Sequence, residues 1–167
     1  MKRTLIGHLF TVTLATALAV GIAPKAQAAD KGCSNATLTG TFAYSNTGFF
    51  TAAAAPPLQA GPFAGVGVET FDGNGGTTAT MWVSINGNIL QVTIKGTYSV
   101  NSDCTGTLTL VPSIVSPPLT LPPGQVFFVI DDNGGEFRAI NTISGHVITT
   151  VGRRQFSKDR PAELAPL

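Results

Sequence analysis

Hydrophobic and polar residues alternate along much of this chain. The clearest stretch runs from Gln91 to Val100, where Val92, Ile94, Tyr98 and Val100 alternate with Gln91, Thr93, Lys95, Thr97 and Ser99. A period of two marks a strand with one buried face and one wet face. The same reading predicts strands over 36–44, 63–71, 77–85, 89–100, 105–111, 125–130, 136–143 and 146–152, with a short extra strand near Phe49. Asn86-Gly87 and Ser144-Gly145 separate alternating runs, a hairpin signal because such turns need residues that tolerate positive φ. Most joins are this tight, so consecutive strands are expected to be antiparallel neighbours. The fold class is all-β: an up-and-down meander that loses its free edges by closing into a roughly eight-stranded barrel. A β-sandwich is the alternative, and it needs long crossing connections.

Only two segments are long enough for that role. One runs from Thr51 through Ala52–Ala55 and Pro56-Pro57 to Pro62, the other from Pro112 to Gly124. Proline pairs prevent regular ladder pairing in both. Both are apolar for connections, with Leu58 in the first and Ile114, Val115, Leu119 and Leu121 in the second. Each is expected to lie over its own half as a flap; a paired lid at one barrel mouth, or a sticky surface for a partner, is the sharper alternative.

The chain also repeats itself weakly. Thr37–Phe42 matches Thr93–Tyr98, Asn46-Thr47-Gly48 matches Cys104-Thr105-Gly106, and Phe71–Gly76 matches Ile130–Gly135. An internal duplication and independent recurrence of turn motifs both account for this.

Composition sets the compartment. Lys2 and Arg3 precede an apolar run from Leu5 to Ile22, and Ala26-Gln27-Ala28 supplies the small-x-small pattern of a signal peptidase site. Residues 1–28 are therefore read as a signal peptide, 29–156 as a single β-barrel domain and 157–167 as a flexible C-terminal tail, in a protein that is secreted or periplasmic. Once the signal is removed, no stable membrane span is expected. Removal leaves 139 residues with seven basic against nine acidic side chains. So few, scattered charges make no footprint for nucleic acid. Cys33 and Cys104 are the only cysteines, and in an oxidising compartment they are expected to form one disulfide.

Candidate chemistry is sparse. His8 falls in the signal, which leaves His146 at a strand start, too little for a multi-histidine metal site. Asp72, Asn74, Asp131, Asp132 and Asn133 offer oxygen ligands, but the position of a bidentate glutamate in a calcium loop is Val83 or Thr142. These turns are read as hairpins, and no metal or cofactor is expected. Glu69 lies in an otherwise apolar strand, on the face of Phe63 and Phe71 if the strand is regular. A bulge at Gly65/Gly67 that turns Glu69 outward is the favoured reading. The alternative makes it an interior polar handle, desolvated unless Arg138 or Lys95 pairs with it. By alternation Tyr98 and Asn141 line the same interior. Glu69, Tyr98 and Asn141 are thus the candidate ligand-binding residues. Trp82 and Phe127-Phe128 are read as packing residues, and the run 126–130, apolar on both faces, implies cover by a loop or another subunit.

Gly96-Thr97-Tyr98-Ser99-Val100, Asp103-Cys104-Thr105-Gly106-Thr107 and the upstream Phe71-Asp72-Gly73-Asn74-Gly75 resemble a group of small exported bacterial proteins of uncharacterised function. The layout is more loosely similar to calycin-like barrels, including those of the allene oxide cyclase type. The resemblance implies a barrel and export, and it transfers no catalytic residue. The expected function is a non-catalytic module that binds a small, largely apolar molecule in the barrel. Two alternatives stand beside it: a structural or surface protein with a filled barrel, acting through protein contacts or as a homo-oligomer, and an enzyme using Glu69 and Tyr98.

Overall fold

The computed structural model of the chain describes residues 32–155; the expected signal peptide and C-terminal tail lie outside them. Nine strands form: β1 (Gly40–Phe50), β2 (Gly61–Phe71), β3 (Gly76–Ile85), β4 (Asn88–Val100), β5 (Thr105–Ile114), β6 (Leu119–Thr120), β7 (Gly124–Asp131), β8 (Glu136–Asn141) and β9 (His146–Arg154). All pairings are antiparallel. The order β4-β3-β2-β1-β9-β8-β7-β5 is closed by β4–β5, giving an eight-stranded up-and-down barrel with β6 as a short extra strand on β5. Closure pairs every barrel strand on both sides, so the sandwich alternative is set aside.

Side chains alternate in and out as the period predicts. In β7 Val126, Phe128 and Ile130 point in, while Gln125, Phe127, Val129 and Asp131 point out. Large rings on the inner wall face glycines on the neighbouring strand. Phe71 sits across from Gly40, Tyr44 between Gly67 and Gly152, Phe128 across from Gly106 and Phe137 across from Gly152. A Cβ at Gly106 would run into the Phe128 ring, and one at Gly152 into the Phe137 ring. Pairing large with absent side chains is how a narrow barrel fills its centre without strain.

One end is sealed. Phe42, which is fully buried, meets Phe71 edge-on at 5.5 Å and Phe137 at 5.5 Å, and Phe71 meets Tyr98 at 5.0 Å. Residues Asn35–Leu38, of which 36–38 were expected in the first strand, instead form a 3-10 turn at this end, with Leu38 buried. Ser34 N–H donates to Thr37 Oγ1, and Asn35 Oδ1 accepts from Val100 N–H at 2.8 Å. The Arg154 guanidinium lies 4.6 Å over the Phe42 ring and donates to the carbonyls of Thr37, Thr39 and Gly134. Cys33 and Cys104 form the expected disulfide, which closes a sequence separation of 71.

The extra strand expected near Phe49 is the far end of β1, which runs eleven residues unbroken. Asn46-Thr47-Gly48 therefore lies mid-strand, whereas Cys104-Thr105-Gly106 follows a turn. The two copies of the sequence repeat do not fold alike here, although the Asp72 and Asp132 turns do occupy the same end of the barrel. Both Pro-containing connections emerge at the opposite end, where they are largely exposed. The first is tied to the β8–β9 turn through Thr51 N–H to Gly145 O, and the second to β4 through Val115 N–H to Gln91 O.

Candidate functional site

β2 pairs without a skipped residue from Phe63↔Ile85 to Phe71↔Thr77. Its glycines keep the alternation, because bulging would cost ladder bonds on both flanks. Glu69 therefore points inward, 5% exposed, which corrects the expectation that it turns out. Glu69 Oε1 accepts from Thr77 Oγ1 at 2.9 Å, and Thr77 is itself buried. Neither cation that could have paired with it is there. Lys95 is on the outer face, and Arg138 bonds Glu136 at 2.9 Å outside. Burial accordingly pushes the Glu69 carboxyl up to about 7, with the Thr77 hydrogen bond opposing.

Glu69 opens onto a cavity of about 40 Å³ whose other polar walls are Tyr44, Asn46 and Thr150. Tyr44 Oη and Asn46 Oδ1 are buried there without a hydrogen-bond partner. Burial, and then the Glu69 charge, raise the Tyr44 phenol above its usual range. Asn46 lies beyond the first strand expected from the sequence, 36–44, and Tyr44 is its last residue, whereas β1 runs on to Phe50. The parity Phe42, Tyr44, Asn46, Gly48, Phe50 was the signal that would have found them.

Tyr98 and Asn141 do not join Glu69. The Tyr98 hydroxyl donates to Asn35 O at 3.0 Å and accepts from Gly73 N–H at 2.9 Å, so it fastens the sealed end. Asn141 Oδ1 accepts from Ile143 N–H at 2.9 Å and shapes the β8–β9 turn. Both act within the fold. The turn carboxylates are similarly engaged: Asp72 Oδ1 takes the N–H groups of Asn74 and Gly76 at 2.7 and 2.9 Å, which lowers its pKa. Asp103 is lowered by the Thr105 hydroxyl. Among the described residues, no group of three or more His, Cys, Asp or Glu converges as metal ligands. His146 is half-buried, edge-on to Phe50 at 5.0 Å, and burial lowers its pKa.

The outer wall departs from expectation. Trp82, read as a packing residue, is 54% exposed, and Phe127 and Val129 also face outward uncovered by any described loop. No helix of the described residues is long and apolar enough to cross a membrane. In comparisons with known proteins, no family model matches the chain, nor does any curated protein or solved structure. The resemblance thus rests on its sequence motifs alone.

Proposed function

We propose that this chain is an exported scaffold module that acts through protein contacts, and that its uncharged end docks against a second copy of itself. The observation that carries this reading is the filled interior. Phe42, Tyr98, Phe128 and Phe137 are each 5% exposed or less, and the cavity beside Glu69 holds about 40 Å³. A site for a small apolar molecule needs roughly 300 to 1,000 Å³. Nor do Glu69 and Tyr98 share a chamber in which they could act on a substrate together.

The surface supplies the positive argument. Segments 39–68, 73–94, 104–130 and 139–152 contain no Asp, Glu, Lys or Arg, and they include all four connections at the loop end. Phe49, Ile89, Val115, Leu119 and Val147 are exposed there. The charges gather at the sealed end: Asp72 and Asp103 in turns, Asp131 to Arg138 around a third, and Arg153 and Arg154 closing β9. A two-fold contact sets each patch against its own kind, which an uncharged apolar patch favours by burial while a charged one must first be desolvated. The signal-like start supports export, and the disulfide accords with it.

Native mass spectrometry of the processed protein tests the reading. A dimer without a retained small molecule is expected. A monomer carrying a stoichiometric ligand would refute it.

A further inference from the structure

The Glu69 chamber lies apart from the proposed contact surface. Its volume, about 40 Å³, compares with the roughly 10–15 Å³ of such space that one water occupies. Its polar groups are Glu69, Tyr44, Asn46 and Thr150, on three adjacent strands, β2, β1 and β9. Tyr44 Oη and Asn46 Oδ1 have no protein partner, and buried polar groups in native proteins are almost always paired, by ordered water where protein fails. We propose that this chamber binds a cluster of two or three water molecules bridging Tyr44, Asn46 and Glu69, and that loss of the Glu69 proton to bulk solvent, which leaves a buried carboxylate facing this cluster, loosens the barrel.

The charged and titratable surroundings favour such a response. Tyr44 faces Glu69 from β1, and the Tyr98 hydroxyl on β4 is taken at the sealed end. Arg154 on β9 lies against Phe42 and is held by three carbonyls. Lys95, Arg138 and Arg153 are on the outside of β4, β8 and β9, the last two bonded to Glu136. None of these cations reaches the carboxylate, so an ionised Glu69 has only Thr77 and water to stabilise it. Burial moves its pKa from 4.5 to about 7. A carboxyl raised in the folded state contributes stability that is complete below the unfolded value and is lost as pH rises through the folded one. Glu69 thus favours the folded barrel most in acid, and its share of the folding constant falls roughly 300-fold across that window.

Urea unfolding of the processed protein from about pH 4 to about pH 9, beside Glu69→Gln, reads this directly. Relative to the variant, whose profile carries the lowered Asp72, Asp103 and His146, the wild type should lose roughly 300-fold; parallel profiles overturn the proposal. Should Glu69→Gln fail to fold, carbon-13 NMR of the wild-type Glu69 carboxyl gives the midpoint, and an ordinary carboxylate value refutes the linkage. Oxygen-17 relaxation dispersion tests the water: long-lived signal reduced in Tyr44→Phe supports the cluster, and no such signal overturns it.

Discussion

Gly152→Ala isolates the principle by which this barrel is filled. Gly152 lies in β9 with Tyr44 paired on one side and Phe137 on the other. An added methyl would meet the Phe137 ring, with its Cδ1 at 3.0 Å and two further ring carbons nearer still. Neighbouring rings hold Phe137 in place, since its centroid is 5.5 Å from Phe42 and 5.7 Å from Phe71. Overpacking a closed core costs about 1–3 kcal/mol. Replacing a strand glycine returns about 0.5–1 kcal/mol of backbone entropy, so a net loss of up to about 2.5 kcal/mol remains. Phe137→Leu shortens the obstructing ring, and in the double variant the loss from the methyl should largely vanish. The double-mutant cycle from urea unfolding should therefore show a favourable coupling of at least about 1 kcal/mol. If Gly152→Ala is stabilising, or the two changes simply add, the ring-against-glycine account of the interior fails.

Two further changes probe the sealed end. Replacing both Cys33 and Cys104 with Ala releases a loop with a sequence separation of 71, and chain entropy puts the loss at about 4 kcal/mol; thermal melts with and without reductant should show it in the wild type only. Arg154→Met removes the guanidinium from the carbonyls of Thr37, Thr39 and Gly134 while keeping apolar cover on Phe42. It should cost about 2 kcal/mol and speed hydrogen exchange at Asn35–Leu38, and unchanged exchange there would contradict the assigned role.

Strand positions and barrel closure were legible because alternation and Asx-Gly turns are local signals. Gln91–Val100 needed only its period of two, and Asn86-Gly87 only its tolerance of positive φ, which Asn86 adopts at 53°. The Cys33–Cys104 bridge followed from there being two cysteines. Local reasoning failed where partners from distant strands decide. Gly65 and Gly67 suggested a bulge, but their task is to make room opposite Asn46 and Tyr44, a fact that resides in the β1–β2 register. Residues 36–38 have strand-like composition, yet they serve as a plug because Leu38 fits the end of the barrel. Trp82 reads as core by type and lies outside by parity. Tyr98 was rightly placed inside, but its hydroxyl's partners, Asn35 and Gly73, are brought together only by closure.

The central claim is that a filled barrel works through its uncharged end. Sedimentation equilibrium of the wild type, of Ile89→Asp/Leu119→Asp and of Val151→Asp tests it most directly. Ile89 and Leu119 are exposed at the loop end, whereas Val151 is exposed about as much as Leu119 but beside Arg138 on the charged half. The account predicts a dimer for the wild type and for Val151→Asp, and a monomer for the paired variant. A monomeric wild type, or a paired variant that dimerises as the wild type does, would contradict it.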